Sequence, residues 1–406
     1  MNSNVKVRFA PSPTGILHVG GIRTALFNYF FAKSQNGVFT LRNEDTDQAR
    51  KVEGSLEATL ESLRWLDISW NEIVTQSQRL DNYKEYADQL VSKGLALKEE
   101  GAIRFIAPKE GTTSWTDAIG NKEITFENKN IEDFIILKKD GFPTYHLANV
   151  IDDYLMKISH VIRGEDWIPS TPKHIMLYKA FGWDIPVFAH VPNVLGTDGK
   201  KLSKRRGAKS VLDFKKDGYL PEALLNYLML LGWSPKNDKE ILSKEEIGKD
   251  FSLKNVNVAP SIFDERKLLW MNGEYIRKIQ NSKLKSQILD FDPELKKIDE
   301  GLIDQLINVA KTRMKTLVDF GILIEPFVSE SFKTPKSETK SKLFESFKVI
   351  EQWNSKTIFT EIKKLLEVQS LKLPDIYQDL IGLKQGLPLG DVFEILGKEK
   401  TLSLLK

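Results

Sequence analysis

Thr14, Gly15, His18 and Gly20 lie close together near the start of the chain and are residue types suited to binding phosphate. Gly15 and Gly20 leave room for a ligand to approach the backbone. The His18 ring can donate a hydrogen bond to a phosphate oxygen. These residues predict a nucleotide site, although the short segment around His18 is equally typical of an ordinary turn with a surface histidine.

The segment that carries these residues predicts a strand, a turn and the start of a helix. Val5, Val7 and Phe9 alternate with polar residues, as in a strand. Pro11 and Pro13 end that strand, and residues 21–33 then have apolar side chains at helical spacing. A helix that begins just after a parallel strand directs free N–H groups and its positive dipole end at a ligand above the sheet.

A cluster of polar residues, Glu44 to Asp47, follows the second predicted strand at residues 37–43. Ligands of open α/β sheets bind beyond the carboxyl ends of the strands. Glu44 is therefore well placed to hold an amino group, while Asp45, Thr46 and Asp47 can cap the next helix. The alternative is that all four residues only cap that helix.

Two arginines are candidates for binding carboxylates in the same pocket. Arg163 ends a predicted buried strand and Arg8 lies on the first strand, and a guanidinium binds a carboxylate with two parallel hydrogen bonds. Two arginines in one pocket would need two carboxylates to neutralise them. The alternative is that both pair with internal acids such as Glu44, Glu165 or Asp166.

Tyr145 and Asn149 are four residues apart, so they share one face of a predicted helix. Both are polar in an otherwise apolar setting, and buried hydroxyls and amides need hydrogen-bond partners. The pair suits a small polar ligand, and a mutually satisfied pair in the core is the alternative.

A basic loop covers residues 196–207, in which five of the twelve residues are Lys or Arg. A cationic loop suits a polyphosphate whose charge builds up in the transition state. A solvated loop or a contact to an RNA backbone is an equal alternative at this point.

Length and composition limit the class of protein. The 406 residues predict two to four domains, and the net charge of +3 neither requires nor excludes an RNA partner. The chain contains no Cys, which excludes disulfides and Cys-based zinc sites. No apolar run approaches the ~20 residues that a membrane span needs. With no apolar leader at the start, we expect a cytoplasmic protein with no membrane partner.

Two of these segments resemble signatures of class I aminoacyl-tRNA synthetases. Residues 8–21 read Arg-Phe-Ala-Pro-Ser-Pro-Thr-Gly-Ile-Leu-His-Val-Gly-Gly, which resembles the glutamyl form of the "HIGH" signature. Lys201-Leu-Ser-Lys-Arg205 resembles the second signature, "KMSKS". Both in this order are far more specific than either alone. Similarity to the glutamyl-tRNA synthetase family runs to about residue 277, and residues 392–400 resemble the usual end of its bacterial members.

The resemblance implies a multidomain chain. An α/β Rossmann-type catalytic domain would carry an α+β insertion for the acceptor end of tRNA and be followed by an all-α anticodon-binding bundle. The implied segments are 1–93 and 142–195 for the two catalytic halves, 94–141 for the insertion, 196–277 for the signature loop and stem-contact domain, and 278–406 for the anticodon-binding region. The insertion is shorter here than in many relatives.

The resemblance also implies a role for each matching residue. Glutamate would be bound by Arg8, Ala10, Ser12, Glu44, Tyr145, Asn149 and Arg163. ATP would be bound by Thr14, Gly15, His18, Gly20, Asp166, Lys201, Ser203, Lys204 and Arg205. His18 and Lys204 would be catalytic. Mg²⁺ would accompany ATP as co-substrate, and no zinc or other dedicated metal site is expected.

The implied activity is that of a glutamate–tRNA ligase. ATP would activate glutamate as glutamyl-adenylate, and the glutamyl group would pass to the 3′-terminal adenosine of tRNA(Glu). Charging of tRNA(Gln) as well stays open, and we expect a monomer. One alternative is an inactive paralogue that only binds tRNA. Another, the enzyme that glutamylates queuosine on a tRNA, lacks a helical anticodon domain.

Overall fold

The computed structural model describes residues 5–15, 17–202, 209–236, 238–329 and 337–406. The chain forms two compact units. The first comprises Met1–Phe214 and Leu224–Glu265, and the second comprises Lys215–Ala223 and Arg266–Lys406. The five-segment division expected from the sequence stays a prediction.

The first unit is built on parallel strands. The strands β1 (Lys6–Phe9), β2 (Val38–Asn43) and β3 (Ile73–Thr75) pair in the order β1-β2-β3. Later in the chain, β9 (His160–Gly164) and β10 (Val187–Val191) also pair in parallel. The Ser159 amide donates to the Lys6 carbonyl at 2.9 Å, which ties the two groups of strands together. This arrangement confirms the predicted Rossmann-type catalytic fold.

Helices connect and cover these strands. They are α1 (Val19–Ser34), α2 (Ser55–Trp65), α3 (Leu80–Ser92), α4 (Tyr145–Leu155) and α5 (Thr171–Phe181). In α1 the apolar residues Ile22, Leu26, Phe27 and Phe30 are fully buried. They lie on more than one side of the helix, as in a helix enclosed by the fold.

Between α3 and α4 the chain forms five strands: β4 (Ala96–Glu99), β5 (Ala102–Phe105), β6 (Thr112–Asp117), β7 (Lys122–Glu127) and β8 (Phe134–Leu137). β4, β5 and β8 form an antiparallel sheet, and β6 and β7 form a hairpin. The 3₁₀ turn Asn128–Asn130 is the helical part of this insertion. The Ala118 amide donates to the Phe188 carbonyl at 2.8 Å, so the hairpin adjoins β10.

Short elements follow β10 in the chain. The strand β11 (Val194–Leu195) pairs with β12 (Ser261–Ile262), and the helices α6 (Val211–Lys216), α7 (Pro221–Leu230) and α8 (Lys244–Asp250) lie between them in sequence. A capping box fixes the start of α8, because Ser243 and Glu246 satisfy each other's backbone N–H groups.

The second unit is helical. Its helices are α9 (Glu265–Lys278), α10 (Asn281–Phe291), α11 (Glu300–Ala310), α12 (Val318–Val328), α13 (Glu338–Lys348), α14 (Ser355–Gln369), α15 (Leu373–Ile381) and α16 (Leu389–Leu405). The side chains of Asp299, Ser337 and Asn354 cap α11, α13 and α14. Ile303 and Leu306 lie in a shared apolar core. The predicted all-α region is therefore confirmed. Within the described ranges no helix is long and apolar enough to span a membrane.

Candidate active site

A cavity of about 810 Å³ lies at the carboxyl ends of β1, β2 and β9 in the first unit. Residues that follow these strands line it together with the start of α1 and one face of α4. This is where an open parallel sheet places its ligands. Six cationic side chains and three carboxylates line the described part of the cavity, so its charge favours anionic ligands.

The structure brings most of the predicted residues together. All seven residues predicted for glutamate line the cavity: Arg8, Ala10, Ser12, Glu44, Tyr145, Asn149 and Arg163. Five residues predicted for ATP also line it: Thr14, His18, Gly20, Asp166 and Lys201. Ser203, Lys204 and Arg205 lie outside the described residues. The individual roles of all these residues stay predictions.

Gly15 is described but does not belong to the cavity wall. Its φ of 136° is a conformation that side chains disfavour. Its carbonyl accepts a hydrogen bond from the Ser55 hydroxyl at 2.8 Å, which fixes the turn against the start of α2. This geometry gives Gly15 a structural role in the turn.

Arg8 forms an ion pair inside the protein. Its Nε and Nη2 donate to the two carboxylate oxygens of Asp153 at 2.9 and 3.2 Å. Arg42 Nη1 donates to the same carboxylate at 2.6 Å. Burial alone would raise the pKa of Asp153, but Arg42 and Arg8 hold it below its ordinary value. Arg8 therefore has an internal partner, although not one of the acids that the sequence suggested.

Glu44 is held from one side only. Its Oε1 accepts from Arg42 Nε and Nη2 at 3.2 and 3.0 Å and from Asn149 Nδ2 at 3.1 Å. Its Oε2 accepts no hydrogen bond from the described residues. Burial raises the pKa of the Glu44 carboxyl, and Arg42 and Arg8 offset part of that rise. Oε2 is the oxygen that this arrangement leaves for a ligand.

Sequence reasoning missed Arg42 and Asp153. Arg42 is fully buried on β2, and it stands two residues before Glu44, so both side chains point to the same face of the strand. That spacing was a signal that could have found it. Asp153 gives no comparable signal, because it contacts Arg8 from a distant part of the chain.

Arg163 is buried without a carboxylate partner among the described residues. Its Nη1 donates to the Tyr145 hydroxyl at 3.1 Å and contacts His174 Nδ1 at 3.2 Å. Its Nη2 donates to the Thr171 hydroxyl at 2.8 Å and its Nε to His190 Nε2 at 3.2 Å. All these acceptors are neutral. Only 5% of Arg163 is exposed. A buried charge is costly unless it is paired, so an anionic ligand in the cavity would compensate a charge that no carboxylate of the described residues compensates.

His18 caps the start of α1. Its Nδ1 accepts a hydrogen bond from the Gly20 amide at 3.0 Å. The proton of the neutral ring is therefore on Nε2, which is a hydrogen-bond donor. A Cβ at residue 20 would lie 2.9 Å from His18 Cε1, so only glycine allows the ring to cap the helix in this position. The geometry equips His18 to donate to a phosphate oxygen at a helix N-terminus.

Asp166 and Lys201 form an ion pair, and each side chain is about half exposed. Asn193 Nδ2 donates to Asp166 Oδ1 at 3.2 Å.

Arg23 on α1, which the sequence did not single out, lines the cavity and donates to the Leu231 carbonyl at 2.8 Å. Burial lowers its pKa to about 10. In the described part of the chain no group of three or more His, Asp or Glu could hold a metal ion.

The chain is similar to known proteins along its whole length. The catalytic-domain family "tRNA synthetases class I (E and Q)" matches residues 4–102 and 98–270. The family "Anticodon binding domain" matches residues 282–406. Both matches agree with the order of the two structural regions.

Similar individual proteins indicate which family of class I synthetases is meant. "Glutamate--tRNA ligase 1" of Caldanaerobacter subterraneus is 38% identical over 470 aligned residues, which cover 100% of this chain and 98% of that protein. "Glutamate--tRNA ligase 2" of Thermoanaerobacter pseudethanolicus is 37% identical with the same coverage. A crystal structure of a glutamate tRNA ligase from Elizabethkingia meningosepticum, in complex with its amino acid, has a TM-score of 0.86 and 32% identity. It aligns over 99% of this chain and 98% of that one.

The parallel sheet with a ligand cavity at its carboxyl ends, followed by a helical region, is the arrangement of a class I aminoacyl-tRNA synthetase. The chain belongs to the glutamate–tRNA ligase family within that class.

Proposed function

We propose that the chain is a glutamate–tRNA ligase that charges tRNA(Glu). In the first step the α-carboxylate of glutamate attacks the α-phosphorus of ATP and pyrophosphate leaves. In the second step the 3′-terminal adenosine hydroxyl of tRNA attacks the activated carbonyl and AMP leaves. The observation that carries this proposal is Arg163, a buried guanidinium at the cavity wall whose partners are all neutral.

Glutamate has three charged groups, and the cavity has a complementary group for each. Arg163 suits one carboxylate. The Tyr145 hydroxyl accepts from Arg163, so its own proton is left to donate to the same carboxylate. Arg8 donates to Asp153 through Nε and Nη2, and its Nη1 is left for the other carboxylate. Oε2 of Glu44 suits the ammonium group.

ATP suits the opposite part of the cavity, around the start of α1. The N-terminus of α1, the Nε2–H of His18 and the close backbone at Gly20 are complementary to phosphate. Lys204 is proposed as a second catalytic cation from its position in the signature. Mg²⁺ would come with ATP and neutralise part of its charge, and zinc has no part in this proposal because the chain lacks Cys. The protein would act mainly by positioning and electrostatics.

The assignment of regions, partners and location completes the proposal. Residues 94–141 would contact the acceptor end of tRNA, and residues 278–406 would contact the anticodon. The protein would act as a cytoplasmic monomer. Charging of tRNA(Gln) is the one substrate question that this proposal leaves to experiment.

The test is charging with radiolabelled glutamate on separately transcribed tRNA(Glu) and tRNA(Gln). Charging of tRNA(Glu) alone indicates a discriminating enzyme, and charging of both indicates a non-discriminating one. Charging of neither by folded protein in the presence of ATP contradicts the proposal and favours a tRNA-binding paralogue.

A second test addresses the chemistry. In His18→Ala, formation of the adenylate should fall about 100-fold or more, as expected when a donor to developing charge is removed. Single-turnover formation of glutamyl-adenylate measures the effect, with tRNA affinity as the control that should not change. A near-normal rate would contradict the role given to His18.

A further inference from the structure

We infer that Asp117 and His190 are positioning residues for Arg163, so that the hairpin β6–β7 of the insertion takes part in glutamate recognition. This inference rests on the proposed function in one respect, namely that Arg163 binds a carboxylate of glutamate. Neither residue lines the cavity, and neither was singled out by a sequence motif.

His190 holds Arg163 from the neighbouring strand. The two residues are register partners on β10 and β9, and Arg163 Nε donates to His190 Nε2 at 3.2 Å. On the other side of the ring, His190 Nδ1 lies 2.5 Å from Asp117 Oδ2. All three side chains are at most 5% exposed. A continuous buried chain of hydrogen bonds therefore runs from the hairpin to the guanidinium.

The chemistry of the donors fixes the proton on the ring. Arg163 Nε can only donate, so His190 Nε2 must accept and the proton of the neutral ring must be on Nδ1. Asp117 Oδ2 is the acceptor for that proton. Burial lowers the pKa of His190. Burial alone would raise the pKa of Asp117, but the hydrogen bond from His190 and the backbone N–H groups hold it below its ordinary value. Both directions favour a neutral ring beside an ionised carboxylate.

Asp117 is itself rigidly held. Its Oδ1 accepts from the His190 amide at 3.1 Å and from the Ile119 amide at 3.0 Å. The carboxylate therefore fixes both the backbone and the ring of His190. Asp117 does so without occupying any N–H group of the Arg163 guanidinium. A direct ion pair would compete with the substrate carboxylate for those groups.

The nitrogens of the Arg163 guanidinium therefore have different kinds of partner. His190 and Asp117 hold the Nε edge, while Nη1 and Nη2 keep neutral partners such as Tyr145 and Thr171. A carboxylate from outside can join or replace neutral acceptors at those two nitrogens, and no internal acid has to be displaced. Without Asp117, His190 could take the other tautomer and direct an N–H at Arg163.

The experiment compares Asp117→Asn, His190→Phe and the double variant with wild type. Asp117→Asn keeps the side-chain volume and removes the carboxylate charge, whereas His190→Phe keeps a planar aromatic ring and removes the acceptor for Arg163. We expect the KM and the Kd for glutamate to rise about 10- to 100-fold, as for loss of one hydrogen bond to a charged group. The KM values for ATP and tRNA should change less than about twofold. The double variant should be no worse than the worse single variant, because one chain of bonds is broken.

Two further variants separate positioning from a general structural effect. Thr113→Val removes another buried hydrogen bond of the same hairpin, from Thr113 to Asn128, and should leave the glutamate KM unchanged. His190→Gln keeps an acceptor for Arg163 and should keep most of the affinity. An unchanged glutamate KM in folded Asp117→Asn would overturn the inference. A parallel loss in Thr113→Val, or a uniform change of all three KM values, would also overturn it.

The same series distinguishes this inference from its premise. If wild type charges tRNA(Glu) but Arg163→Met has a normal glutamate KM, the carboxylate role of Arg163 is wrong. If wild type charges no tRNA, the proposed function itself fails. If both hold and only Asp117→Asn behaves as wild type, the inference alone is wrong.

Discussion

Arg8 and Arg163 are two buried arginines at the wall of one cavity, and their partners differ in charge. Arg8 forms two hydrogen bonds with the Asp153 carboxylate, which Arg42 shares. Arg163 has only neutral acceptors among the described residues, including Tyr145, Thr171 and His190. The charge of Arg8 is therefore compensated within the protein, whereas the charge of Arg163 has no counter-charge in the described part of the chain and needs an anionic ligand.

This difference predicts that the two sides respond to mutation in different ways. A buried ion pair that loses one partner leaves an uncompensated charge in the core, which costs folding free energy. Removal of a buried cation that pairs only with the substrate lowers the affinity for that substrate. Folding stability and glutamate affinity should therefore separate the two arginine environments.

The largest effect is expected at Arg163. Arg163→Met keeps much of the side-chain volume and removes all donors to the substrate carboxylate. We expect kcat/KM for glutamate to fall about 1,000-fold, which is the typical effect of removing one partner of a desolvated charge pair between protein and ligand. Steady-state charging of tRNA(Glu) at varied glutamate measures it. Arg163→Lys is the matched variant and should recover part of the affinity, because it restores the charge without the planar donor geometry.

The next prediction concerns Asp153, the internal carboxylate that pairs with Arg8 and Arg42. Asp153→Asn leaves Arg8 and Arg42 without their shared carboxylate, so the free energy of unfolding should fall by about 3 kcal/mol. Urea unfolding measures the change, and Arg163→Met should lose less stability. If the two variants lost equal stability and equal glutamate affinity, the contrast between the two arginines would be wrong.

The pH dependence of the Asp153 contribution has a definite sign. Arg42 and Arg8 hold the pKa of folded Asp153 below its ordinary value of 3.8. Its contribution to stability is therefore complete above the unfolded pKa and is lost as the pH falls through the lower folded value. The stability difference between wild type and Asp153→Asn should stay constant from pH 7 to pH 5 and shrink only below about pH 4.

The sequence placed the right residues in the cavity but could not assign their partners. Signature residues such as Glu44 and Arg163 line the cavity because strand ends and helix starts follow from local pattern. The choice between Asp153 and a substrate as partner of Arg8 depends on contacts between distant segments. Asp117 and His190 were missed for the same reason, since hairpin and strand meet only in the folded unit.

Gly15 shows that a glycine in a signature can have a structural reason of its own. Its backbone φ of 136° and the hydrogen bond that its carbonyl accepts from Ser55 favour glycine there, and its predicted contact with ATP stays a prediction. Gly20 differs, because an added Cβ would collide with the capping ring of His18. The two glycines are therefore favoured for different reasons, backbone conformation at Gly15 and space for the His18 ring at Gly20. The sequence alone does not distinguish these reasons.

The smallest predicted effect concerns Tyr145, which lines the cavity beside Arg163 and accepts a hydrogen bond from its guanidinium. Tyr145→Phe removes one neutral acceptor of Arg163 and one donor to the bound carboxylate, while the ring can still pack against Trp167 at 4.3 Å between centroids. We expect the glutamate KM to rise about tenfold, with kcat and the free energy of unfolding nearly unchanged. The same substitution in the Arg163→Met background should have a smaller effect, because only the direct hydrogen bond from the hydroxyl to the carboxylate is then lost and no guanidinium is left to orient. A full tenfold loss in both backgrounds would show that Tyr145 binds glutamate independently of Arg163.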